Sequence, residues 1–147
     1  MEVSVANGGA MESVARGDVV SVFQVMSNEL STPKILVCPN DPDVLMVTYF
    51  GPSLTAKNIS YFVGLISRTN PPQAFLSGDN NFQVGGVPVK SGLLEMTTVK
   101  PVKWTAARHK FTGNVGLADG SVQSVTSSGL LRLIQQTDLA TNRLAIP

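Results

Sequence analysis

One cysteine, one histidine and one tryptophan are all that 147 residues contain of those types, and charged residues make up only 14%. Each scarcity excludes something. Cys38 has no partner in the chain for a disulfide, and together with His109 it supplies too few sulfur and nitrogen ligands for a closed structural zinc site. Eleven Lys plus Arg against ten Asp plus Glu leave a formal charge of +1, so no overall field draws in nucleic acid or an anionic membrane. No apolar run approaches the roughly 20 residues that cross a bilayer, and the first residues lack the charged and apolar regions of a signal peptide.

What is present suits a folded protein. Hydrophobic residues form 43% of the chain and are spread along it, which is enough for one core, and the expectation is a single domain over residues 1–147. Residues 1–10, small and polar with paired glycines, read as a loose leader. Val19, Val22, Phe23, Met26 and Leu30 then recur at helical spacing, with Asp18 placed to cap and Ser31-Thr32-Pro33 to stop, so the pattern predicts a helix over 19–30. A shorter helix is expected from Met11 to Arg16, broken at Gly17.

Strand signals follow. "KILVCPNDP" reads as a buried strand that leaves into a turn, which puts Cys38 in the core, and residues 42–57 read mainly as loop. "NISYFVGL", "AFLSG" and "GLLEM" are the next strands. In "NVGLADGSVQSV" two alternating segments flank Asp119-Gly120, the pair preferred in a two-residue type I′ hairpin turn. A C-terminal helix follows, with Thr126 or Ser127 as its cap and Leu130, Leu131 and Ile134 as its apolar stripe. The expected fold is α+β: an N-terminal helix packed on a small antiparallel β-sheet, with a C-terminal hairpin and helix.

Little in the sequence carries catalytic chemistry. His109, Asp119 and Ser121 have the residue types of a hydrolase, but no G-x-S-x-G elbow precedes a helix, and the serine lies just past a hairpin tip. His109 reads better as a strut that ties its segment to the hairpin, through the Asp119 carboxylate or a backbone group near the turn. Asp41, Asp43, Asp79-Asn80-Asn81 and Asp119 offer oxygen ligands of the sort calcium uses, with Asp79 and Asp119 as the candidates, yet none has EF-hand spacing and turn chemistry explains them more simply. Lys90, Lys100, Lys103, Arg108 and Lys110 surround Trp104 with only Glu95 as an acid, but no nucleic-acid module frames them. "QVGGVP" lacks the Lys-Ser/Thr of a phosphate loop.

His109, nine intervening residues and then Asp119-Gly120 reproduce the H-X9-DG segment near the C-terminus of many bacterial prepilin-like and type II secretion pseudopilin-like proteins. "ILVCPND" is similar to the Cys-Pro-Ser/Asn-Asp of that family, "NISYFVG" to its Ser-Tyr strand, "LSGD" to its Gly-Asp, and "GNVGLADGSVQ" to its hairpin. Over residues 35–147 the chain thus resembles these proteins, the verrucomicrobial type above all. The resemblance implies a structural, non-enzymatic head outside the cytoplasmic membrane, with other pseudopilin or secretion-apparatus subunits as partners and no catalytic residues. It also implies an N-terminal apolar helix with a prepilin cleavage site. This sequence contains neither, so the expectation is the soluble, extracytoplasmic head of a longer chain, attached to the membrane only through that absent helix. The alternative from residue chemistry is an extracytoplasmic glycan- or protein-binding module that uses the loops at 39–57 and 78–91.

Overall fold

Short β-branched and aromatic runs, punctuated by glycine and proline, produce nine strands among residues 3–65 and 71–147, which the computed structural model describes. They are β1 (Tyr61–Gly64), β2 (Phe75–Asp79), β3 (Phe82–Val84), β4 (Val87–Pro88), β5 (Gly92–Met96), β6 (Val102–Trp104), β7 (Thr112–Leu117), β8 (Val122–Thr126) and β9 (Asn142–Ile146). Six of them form one sheet in the order β5-β9-β1-β2-β7-β8, and three form a second in the order β4-β3-β6. Every pairing is antiparallel.

The expected fold class is therefore corrected. The protein is sheet-rich, and the four α-helices among the described residues are short: α1 (Met11–Ala15), α2 (Val19–Val25), α3 (Ser27–Leu30) and α4 (Ser127–Gln136). No helix over 19–30 packs on a small sheet, because the helical path breaks at Met26, whose ψ of 12° interrupts the hydrogen-bond ladder. The valines of this segment lower its helix propensity, so nothing local resists the break. "KILV" is not a strand either. Thr32 accepts a hydrogen bond from the Lys34 N–H, Pro33 presets the first turn, and Pro33–Leu36 winds into a 3-10 turn that buries Leu36 and exposes Ile35.

Two cores explain why β9 escapes sequence reading, whereas β1, β2, β5, β7 and β8 of the same sheet fall where strands were expected. On one face Phe62, Leu144 and Ile146 join Phe75, Leu117 and the helix residues Leu130, Leu133 and Ile134. On the other face Val63 and Ala145 join Val19, Val22, Phe23 and Ile59. Strands β1 and β9 are thus buried on both sides, and a strand apolar on both sides shows no period-two alternation. Phe82 and Trp104 stack edge to face at 5.8 Å, fastening the three-stranded sheet to the first core. Residues 3–10 are tied in by the Met11 N–H donating to the Val3 carbonyl, and Ala10 is buried.

The C-terminal hairpin forms with a different turn. Leu117 N–H donates to the Ser121 carbonyl, and Gly120 N–H donates to the Leu117 carbonyl at 3.0 Å. Of the Asp-Gly pair only Gly120 has positive φ, at 86°. The loop is therefore the three-residue Ala118-Asp119-Gly120, a type I turn closed by a left-handed glycine, and not a two-residue type I′ turn. Beyond β8, the Thr126 hydroxyl accepts from the Gly129 N–H and caps α4.

Candidate functional site

At the end of β2 the chain places a buried polar cluster. Tyr61 stands directly opposite Asp79 in the β1–β2 register, and Cys38 and the loop between β6 and β7 close over that end of the sheet. His109 belongs to that loop. Its Nε2 lies 3.3 Å from Cys38 Sγ and 3.6 Å from Asp79 Oδ2. The first distance suits a hydrogen bond to sulfur, while the second is too long for an N–H···O bond. Asp79 Oδ2 is satisfied from elsewhere: the Asn114 N–H donates at 2.7 Å and the Asn114 amide at 3.1 Å. Asp79 Oδ1 is buried and finds no hydrogen-bond donor among the described residues.

A second set of bonds pins the loop. Arg108 reaches under it, with one guanidinium nitrogen 2.7 Å from Asp41 Oδ2 and the other donating to the Ser60 carbonyl at 2.9 Å. The Ser60 hydroxyl donates to Asp41 Oδ2 at 2.8 Å and accepts from the Cys38 N–H at 2.9 Å. This ion pair is removed from water, since the Arg108 and Asp41 side chains are only 11% and 2% exposed. Asn81 ties the same loop down from below, donating to the Ala107 and Thr112 carbonyls. The bracing has a cost to hold. Arg108, Lys110 and Phe111 all take positive φ, between 50° and 66°. Each such non-glycine residue costs on the order of 1 kcal/mol and persists only where its surroundings impose it.

Tyr61 completes the cluster. Burial first, then its electrostatic coupling to Cys38 and Asp79, push its phenol up to about 12. The neutral phenol is therefore the form this site holds at any ordinary pH.

The three motif residues fall in two places. His109 is at the cluster, whereas Asp119 and Gly120 are at the exposed hairpin tip, with all six residues of β7, roughly 20 Å, between them. Asp119 receives the Ser121 N–H at 2.8 Å, and its bonds to Ser121 hold its carboxyl below the usual range. The strut expected between His109 and the hairpin tip is corrected accordingly: the imidazole faces Asp79 and Cys38. No hydrolase trio of His109, Asp119 and Ser121 assembles. The two calcium candidates are equally separated, because the Asp119 N–H donates to the Pro72 carbonyl, near the start of β2, and Asp79 ends that strand.

Ser60 and Asn114 are the members that residue-by-residue reading missed, while Arg108 and Asn81 were singled out there for other roles. The cluster gathers residues from five separate stretches of the chain: Cys38 and Asp41, Ser60 and Tyr61, Asp79, His109, and Asn114.

Chemically the cluster looks at first like a Cys-His-Asp nucleophile. In such a trio the carboxylate holds the ring nitrogen opposite the one that faces the nucleophile. Here both Cys38 and Asp79 face Nε2, so the ring cannot be oriented by one while it deprotonates the other. Beside the cluster runs a cleft of about 560 Å³, lined by Asp41, Val44, Lys57, Asn81, Val89 and Arg108 among others. Among the described residues no helix is long and apolar enough to cross a membrane. No protein-family model, no curated protein and no solved structure matches the chain.

Proposed function

We propose that this chain is a structural, non-enzymatic head of a subunit in a type II secretion pseudopilus or type IV pilus-like filament. It works outside the cytoplasmic membrane, against other pseudopilin or secretion-apparatus subunits. The observation that carries this reading is the use to which the motif residues are put. Cys38, Asp41, Ser60, Asp79 and His109 come from segments far apart in the chain, and apart from Asp79 Oδ1 their polar atoms mostly brace two loops on the sheet. Residues spent on bracing suit a protein whose work is to present a rigid surface. The loop over 42–57 presents Leu45, Met46 and Tyr49, which are 69%, 60% and 68% exposed, and clustered exposed apolar side chains suit contact with another subunit.

The native protein recovered from its source cells tests this. Peptide mapping of its N-terminal region should find an apolar segment of roughly 20 residues ahead of this sequence, and the protein should fractionate with membranes and cross-link to pilin-like subunits. A native chain that starts at Met1 and stays in the cytosolic fraction would overturn the reading.

The cleft favours one second reading, an extracytoplasmic binding module for a glycan or protein. The cleft lies between the loops at 39–57 and 78–91; Asn80 and Asn81 line it, and their Oδ1 atoms, buried behind its wall, lack donors among the described residues. Amide oxygens of this kind accept hydroxyl hydrogens. Calorimetric titration with oligosaccharides decides: saturable heat that Asn81→Ala abolishes supports a glycan module, and no heat with any of them removes that form of it.

A further inference from the structure

We propose that Cys38, Asp79 and His109 form a binding site for a single divalent transition-metal ion of the zinc type. The inference does not depend on the pseudopilin reading.

Each of the three residues offers a ligand atom, and these atoms all lie within 4.8 Å of one another. Ligands bound to one tetrahedral zinc at about 2.0–2.3 Å are themselves roughly 3.3–3.8 Å apart. The spacing of Sγ from Nε2 is 3.3 Å and that of Nε2 from Asp79 Oδ2 is 3.6 Å. The second value is the informative one, since it is too long for a hydrogen bond yet fits the edge of a coordination tetrahedron.

An independent observation points the same way. Asp79 is 1% exposed, and its Oδ1 finds no donor among the described residues. A buried carboxylate oxygen without a donor carries the desolvation penalty of a charged group. The Asn114 bonds turn the carboxylate so that Oδ2 faces the imidazole, and a cation held between Oδ2, the sulfur and the imidazole would balance the charge of a carboxylate whose other oxygen has no donor. The ligand set selects the metal. A thiolate and an imidazole beside one carboxylate suit zinc or cobalt, whereas calcium and magnesium call for oxygen alone.

The supporting groups are in place. The Cys38 N–H is held by Ser60, Asp79 by Asn114, and the His109 carbonyl by the Thr112 hydroxyl. The first and last of these fix the backbone that carries two of the ligands, and Asn114 is an outer group of the kind that orients a metal ligand. Binding would displace the Cys38 thiol proton to solvent. The His109 side chain is 19% exposed, which leaves an edge by which an ion can enter and a water can take the fourth position.

The test is titration of the reduced 147-residue chain with cobalt(II) alone. The expected result is a thiolate-to-cobalt charge-transfer band and tetrahedral-type visible bands, saturating at one ion per chain and bleached by zinc. Cys38→Ser should abolish the charge-transfer band, and Asn114→Ala should weaken binding by about 10–100-fold as an outer-group change. Circular dichroism establishes whether each variant folds, and the wild-type spectrum decides even if one does not. Absence of a thiolate band in the folded wild type overturns the site, as does an unchanged band in Cys38→Ser. A melting temperature raised by calcium but not by zinc overturns the assignment of the metal.

Discussion

The Nε2 of His109 faces Oδ2 of Asp79 across 3.6 Å, and the carboxylate that the His109 spacing suggested, Asp119, sits at the far end of β7. The imidazole therefore braces the β6–β7 loop through its 3.3 Å contact with Cys38 Sγ, beside the end of β2, and the hairpin tip stands on its own turn bonds. His109→Ala should lower unfolding free energy by about 1–3 kcal/mol, the cost of leaving buried polar neighbours unpaired. Asp119→Ala should cost clearly less in the same denaturant titration. Equal losses at the two positions would show that the hairpin tip and the cluster are one unit after all.

Arg108 holds the tightest pair in the cluster. Arg108→Ala strands the buried Asp41 carboxylate and frees a loop that three positive φ values already strain. A loss of about 3–5 kcal/mol is expected, larger than for His109→Ala, because an unpaired buried charge outweighs an unpaired neutral group. Chemical denaturation of the two variants side by side checks the order.

Gly120 is the left-handed residue that closes the hairpin turn, with φ at 86° and open space around the position of a Cβ. Gly120→Ala should cost about 1–2 kcal/mol from backbone strain alone. Gly120→Asn should recover part of it, since Asn tolerates that conformation. If alanine and asparagine melt alike, the strain is not in the turn.

Tyr61 gives the cluster a signature in alkaline solution. Its phenol ionises near 12 in the folded protein and near the ordinary value of about 10 once unfolded. The unfolded chain releases the proton first, so the contribution to stability is complete below about pH 10 and is lost as pH rises toward 12. Phenolate absorbance should therefore show a late step that Tyr61→Phe removes, and that variant should lose less stability between pH 10 and 12 than the parent.

Local interactions were legible without a structure. Asp18 caps α2, Thr126 caps α4, and Asp119-Gly120 turns a hairpin, because each depends on groups within four residues of one another. Cys38 is buried as expected, but not at the end of a strand: the contacts around it come from Ser60 and His109, far along the chain. The turn type at Asp119 was misread because one short pair of residues serves two turn geometries, and only the pairing register of β7 with β8 chooses between them.

The tertiary structure alone decided the rest. β9 enters the sheet between β5 and β1, and being buried on both faces it carries no alternation that could announce it. His109 found Asp79 and Cys38, 30 and 71 residues away, through the way β2 and β7 pair and the way Arg108 pulls its loop onto Asp41. Spacing along a chain specifies what a residue can reach within a turn or a helix. Which distant carboxylate an imidazole meets depends on strand order, and strand order is settled only when both faces of the sheet are covered at once.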